Sequence, residues 1–128
     1  MTSAEVRYLK INFDEILRKL RGYAKSKSRI PGVRAIVLTG SLAKRSYTGT
    51  SDADVLVIAD RVPARVLDRY ELFAGGKIPI DVEPRVYTTK EFISRAKRGD
   101  RFALESIEIG IPLHGKRFFK DLRKSLLV

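Results

Sequence analysis

A chain of 128 residues with 44% apolar content has room for one compact domain and enough apolar material for its core, which argues against a fibrous or disordered protein. Cysteine is absent, excluding disulfides, thiolate nucleophiles and zinc fingers, and His114 is the one imidazole, so a metal here must sit among oxygens. The 26 Lys and Arg against 15 Asp and Glu give a formal charge of +11, a field that favours polyanions such as nucleotides, nucleic acid or an acidic protein.

In chain order, Val6, Leu9, Phe13, Ile16, Leu17, Leu20 and Ala24 recur at steps of three and four, which predicts an amphipathic helix over residues 5–24. Pro31-Gly32 breaks it, and RAIVLTG follows as a buried strand ended by Gly40. SLAKRSY is long enough for about two helical turns, TGTS is all turn-formers, and DADVLVIAD is a second apolar strand. Pro63 is placed to open a helix over PARVLDRYELFA, closed by Gly75-Gly76, and the alternation in KIPIDVEPRVYT predicts a third strand containing Ile78 and Ile80. Thr89 with Glu91 resembles a helix N-cap, and Gly99 a stop. A helix through RFALESIEIG, a short IPLHG segment and a basic amphipathic helix with Phe119, Leu122 and Leu126 on one side complete the chain.

Helices interleaved with three strands predict an α/β or α+β fold, a small mixed sheet flanked by helices. The expected organisation is one domain over 1–128, with a motif core at about 30–115 and a basic helix at 116–128. One Asn (Asn12), no Gln and 32% charged residues predict a hot habitat. No apolar run approaches the roughly 18 residues of a spanning helix, and the start MTSAEVRYLK lacks the apolar stretch of a signal peptide. The expectation is a soluble cytoplasmic protein without a membrane association.

The segment LTGSLAKRSYTGTSDADVLVIAD carries the chemistry. A strand delivers Gly40-Ser41 into a helix start, where glycine lets a ligand approach the backbone and free N–H groups favour an anion. It is not a Walker loop, because the second glycine and the Gly-Lys-Ser/Thr ending are missing, and Gly-Ser alone reads equally as an ordinary turn. Asp52 and Asp54 point to the same side by the period of two. Two adjacent carboxylates repel and raise each other's pKa unless a divalent cation or a basic partner offsets the charge. Oxygen-only ligands suit Mg²⁺ or Mn²⁺. Asp81 lies within the alternation of Ile78, Ile80, Val82 and Val86, where a carboxylate needs a partner. Glu83 shares its parity but precedes Pro84 and reads better as a peripheral strand-end acid.

Gly40-Ser41, ten intervening residues, Asp52-Ala53-Asp54 and a later strand acid at Asp81 together resemble the polymerase β-like nucleotidyltransferase superfamily, and within it the minimal nucleotidyltransferase branch. The resemblance runs from about Ile36 to Val86, with a weaker echo in ALESIEIGIPLHG. It implies transfer of a nucleoside monophosphate, AMP from ATP being the first choice, from a nucleoside triphosphate to an acceptor hydroxyl with release of pyrophosphate. It also implies that Asp52, Asp54 and Asp81 hold the metals and that Gly40 and Ser41 hold the triphosphate. Lys44 matches a position that is usually basic. Arg45 stands where the family commonly has glycine, and would alter the turn or add a phosphate contact. The larger members append a helical domain that grips the acceptor, and the expectation is that nothing comparable fits after residue 115, so that acceptor recognition comes from a partner.

Two other roles compete with the enzyme. The resemblance allows an antitoxin-type module that binds, and in some cases adenylylates, a HEPN-type ribonuclease toxin. The charge allows a basic RNA-binding domain without catalysis: residues 1–35 hold nine Lys or Arg against three Asp or Glu, and Lys116, Arg117, Lys120, Arg123 and Lys124 crowd the last helix. Tyr47 is a loop aromatic near the acids, His114 reads as a surface turn residue, and apolar residues of the last helix can pack internally or across a homodimer.

Overall fold

The apolar runs over 33–39 and 53–59 become the two central strands of the sheet in a computed structural model, which describes residues 3–45, 52–75 and 81–127. The elements run α1 (Ser3–Lys27), β1 (Val33–Thr39), α2 (Gly40–Lys44), β2 (Ala53–Ala59), α3 (Val66–Phe73), β3 (Val82–Tyr87), α4 (Thr89–Lys97), α5 (Arg101–Ile109), β4 (Ile111–His114) and α6 (Lys116–Leu127). Strand order is β3-β2-β1-β4, with β1 antiparallel to β2 and β4 and β3 parallel to β2, so the sheet is mixed.

Both faces of β1 and β2 are covered, which is why these strands read as continuous apolar runs. On one face Ile36, Leu38, Val55 and Val57 pack with Ile16, Leu20, Tyr23 and Ala24 of α1 and with Phe73 of α3. On the other, Ala35, Val37, Leu56 and Ile58 pack with Phe92 of α4, Ile107 of α5 and Phe119 of α6. Arg123 of α6 donates to the carbonyls of Ile107 (2.6 Å) and Gly110 (3.1 Å), satisfying the open end of α5.

Strand β3 is an edge. Just before it, the Asp81 carbonyl accepts from the Ala53 amide at 2.8 Å, so by alternation the polar groups of Val82, Pro84 and Val86 face outward. Pro84 has no N–H to present there, and the Val86 carbonyl takes Arg69 Nη1 at 3.3 Å. The edge is thereby blunted against pairing with another strand.

Several expectations are corrected. The short IPLHG segment forms a fourth strand where three were expected, and His114 pairs with Ile36 at its end instead of occupying a turn. Four residues are enough for a short edge strand but show too little alternation to announce one. Helix α3 begins at Val66, not Pro63, and α2 spans Gly40–Lys44 rather than two turns. The α4 cap is Thr88, whose side chain accepts from the Glu91 amide while the Glu91 carboxylate accepts from the Thr88 amide. Asp81 precedes β3, and that strand is not central, so Asp81 is exposed rather than buried among apolar neighbours. Tyr47, Ile78, Ile80 and the TGTS turn lie outside the described residues, as do the side chains of Val6 and Leu9.

Candidate functional site

Because β1 and β2 are antiparallel and β3 is parallel to β2, the end of β1 and the beginnings of β2 and β3 meet at one edge of the sheet. Thr39 pairs with Asp54, and Asp54 pairs with Glu83. Alternation then puts Asp52, Asp54, Asp81 and Glu83 on one face, the same one that carries Leu56, Ile58 and α5. The register returns Glu83 to this face, directly across from Asp54, although Pro84 had argued for setting it aside.

Gly40 makes the turn from β1 into α2. Its φ is +70°, a conformation that disfavours an L side chain, and a Cβ there would collide with the Asp54 carboxylate and stand 3.0 Å from the Asp54 Cβ. The glycine therefore serves both the turn and the position of the acid. Ser41 follows in the first turn of α2, half-buried, and the N-cap Thr39 makes no side-chain cap bond. Thr39 Oγ1 instead accepts from Ser106 Oγ of α5 at 3.4 Å, tying α5 to the end of β1.

Asp54 is half-buried and its carboxyl is pushed above the ordinary aspartate range. Desolvation is the main cause; the Arg85 guanidinium pulls it down, and the Asp52 and Glu105 carboxylates push it up. Arg85 and Glu105 thus belong to the surroundings of the acids, though neither stands in the Gly-Ser or Asp-Ala-Asp motif. Parity announces Arg85, which continues the Asp81, Glu83 series; Glu105 arrives only through the packing of α5. Arg85 lies over the Phe102 ring at 4.4 Å, and Glu105 is ion-paired to Lys44 at 2.5 Å.

The two motif cations therefore have protein partners. Lys44 is held by Glu105. Arg45 adopts the left-handed conformation (φ 58°) at the C-cap of α2, which explains why glycine suits that position, and its guanidinium stacks on Phe13 at 4.3 Å. His114 is remote in sequence from the acids and sits on the opposite edge strand from β3.

All donors at this edge are oxygens, their mutual repulsion favours a cation, and Gly40 leaves the space in which the Asp54 carboxylate sits; the set fits a hard divalent ion. Among the described residues no three His, Asp or Glu side chains stand close enough together to enclose one in their present rotamers. No described helix is long and apolar enough to cross a membrane.

Comparison with known proteins agrees with this architecture. Among curated proteins none is a significant match to the sequence. The fold is similar to that of a chain in the crystal structure of a toxin–antitoxin with AMP-PNP, with TM-score 0.60 and 18% identity over 84% of this chain and 83% of the other. It is also similar to a Sulfolobus solfataricus protein provisionally assigned as a nucleotidyltransferase, with TM-score 0.57 and 19% identity over 81% of this chain and 84% of that one. Residues 17–111 match the nucleotidyltransferase domain family, and with β1, the Gly-Ser turn, β2 and β3 all inside that span, the chain belongs to it.

Proposed function

We propose that the chain transfers a nucleoside monophosphate, AMP from ATP in the first instance, to an acceptor hydroxyl with release of pyrophosphate. The observation that carries this reading is the convergence of Asp52 and Asp54, at the start of β2, with Asp81 and Glu83, at the start of β3, on one face beside the Gly40 turn. Asp52, Asp54 and Asp81 would hold Mg²⁺ or Mn²⁺, with Glu83 in reach of the same face. Such an ion, when bound, supplies charge neutralisation for the attacking and leaving oxygens of an in-line displacement.

The chain's own residues prepare the rest. Gly40 keeps the wall beside Asp54 free of a side chain, and the turn with Ser41 receives the triphosphate. Lys44 and Arg85 supply positive charge, the one steadied by Glu105, itself a neighbour of Asp54, and the other, which acts on Asp54 directly, by Phe102. Cations fixed before the substrate arrives need no reorganisation as charge moves to the pyrophosphate.

The test is pyrophosphate release from ATP with Mg²⁺ in the presence of mixed protein and RNA acceptors. Asp52→Asn and Asp54→Asn should each abolish turnover with an unchanged circular dichroism spectrum. Retained turnover in both variants overturns the proposal.

A second reading, favoured by the similarity to a chain of a toxin–antitoxin structure, is a regulatory module for a helical ribonuclease partner of the HEPN type. Co-purification with such a protein supports it; a strictly monomeric, freely active enzyme speaks against it. If the chain modifies that partner, the two readings become one.

A further inference from the structure

Helix α3 is turned inside out. Its buried positions are Arg69 and Phe73, while Val66 is 79% exposed, Leu67 is 56% exposed, and Tyr70 and Leu72 are also exposed. Tyr70 adjoins both Leu67 and Val66 on the helix surface, at spacings of three and four. The reason lies in the guanidinium: Arg69 donates to the Pro63 carbonyl (2.6 Å), the Val86 carbonyl (3.3 Å) and both Glu91 oxygens (2.8 and 3.3 Å), which fixes which side of the helix faces the protein.

The exposed apolar side borders a cleft of about 630 Å³ that runs along the β3 edge between α3 and α4. Val66 and Tyr70 form part of one wall, and α4 forms the other with Lys90, Ser94 and Arg95 and, at its C-cap, Arg98. Glu91 on the same wall is engaged by Arg69, and Arg95 is paired with Asp100 at 3.1 Å. Lys90 and Arg98 are exposed and, among the described residues, form no ion pair. One wall is thus apolar and the other cationic, and the blunted β3 edge between them offers a poor template for an added strand.

We propose that this cleft docks an acidic amphipathic helix of a partner protein, its apolar side chains on Val66 and Tyr70 and on the adjoining exposed Leu67, and its carboxylates on Lys90 and Arg98. Charge complementarity selects an acidic occupant. Protein is favoured over nucleic acid because the most exposed apolar groups, Val66 and Leu67, seat apolar side chains but offer no face for a base to stack on, and of the two aromatic rings that line the cleft Tyr87 is already covered by the Arg95 guanidinium at 4.8 Å. Exposed contiguous apolar groups rimmed by charge mark such interfaces. None of Asp52, Asp54 and Asp81 lines the cleft, and Arg85, which does, is given no part in the docking, so the inference does not rest on the catalytic reading.

The test pans a random displayed peptide library against the whole chain and measures enriched peptides by fluorescence anisotropy. The expected consensus alternates Leu-type anchors at helical spacing with Asp or Glu. Affinity should fall at least tenfold in Val66→Asp/Leu67→Asp and in Lys90→Glu/Arg98→Glu, both surface variants, while pyrophosphate release stays as in the parent chain. No consensus, a consensus without carboxylates, or an affinity unchanged in either variant overturns the proposal. So does a single-stranded oligonucleotide that displaces the peptide, or a chain that sediments as a dimer and becomes monomeric in Val66→Asp/Leu67→Asp.

Discussion

Replacing Gly40 by alanine tests the link between the turn and the acid. Two penalties are expected. Holding an L residue at φ +70° costs about 1–2 kcal/mol. The new Cβ also overlaps the Asp54 carboxylate and reaches within 3.0 Å of its Cβ and Cγ, an overpacking term of roughly 1–3 kcal/mol. The sum, about 2–5 kcal/mol, should appear as a lowered urea midpoint with an unchanged slope. Only the second penalty depends on the side chain of Asp54. In an Asp54→Ala background the carboxylate and its Cγ are gone, so Gly40→Ala should lose about 1–2 kcal/mol of its effect. If the two substitutions add within about 0.5 kcal/mol, the glycine serves the turn alone and the packing argument fails.

Three further outcomes follow from particular contacts. Arg69→Met should destabilise the fold by roughly 2 kcal/mol in urea titration; the side chain is 11% exposed, but its partner Glu91 is 44% exposed, which keeps the loss below that of a fully buried pair. The Arg69 bonds, followed by the Thr88 amide, hold the Glu91 carboxyl below its ordinary range. That contribution is present above the unfolded value near about 4.3 and disappears as pH falls through the folded one, so acid unfolding should be shallower in Arg69→Met. Tyr23→Phe leaves the Phe73 carbonyl without the hydroxyl that donates to it at 2.5 Å, at a cost of about 1–3 kcal/mol, read by thermal melting. Asp54 runs the other way from Glu91: its carboxyl is raised, so its contribution is present below about 3.9 and is lost as pH rises through the folded value. Asp54→Asn should therefore raise Tm at neutral pH, and Mg²⁺ should raise the Tm of the parent chain but not of the variant.

Much of the core was legible because a strand covered on both faces leaves a run such as AIVL or VLVIA that few other structures explain. Phe13, Ile16, Leu20 and Ala24 were equally readable from helical spacing, and all four are buried. The same rule fails at α3. Val66, Tyr70 and Phe73 have core spacing, yet only Phe73 goes inside, because Arg69 finds four oxygen acceptors from three different segments there. No local pattern announces a set of acceptors assembled by tertiary structure. Thr88 was missed as the cap for a smaller reason: two adjacent threonines look alike in sequence, and only the Glu91 bond separates them. At the site, parity alone put Asp52 and Asp54 on one side and Asp81 and Glu83 on another common side. That these two sides are the same face needed the parallel register of β3 with β2, which depends on the chain's path through α3.

The acids at this edge differ in what they cost the fold. Asp52, Asp81 and Glu83 are exposed, so water screens them and their repulsion is weak. Asp54 is the one partly withdrawn from water, with the Arg85 charge in its favour and two carboxylates against it. A cation bound on this face gains most from the group that the protein has already desolvated, because attraction grows as the dielectric falls. Moving Asp54 into water would ease folding and weaken that attraction together. Gly40, whose missing side chain lets the carboxylate stay where it is, therefore ties the stability of the sheet to the affinity of the site. A larger residue there should loosen ion binding even in molecules that remain folded.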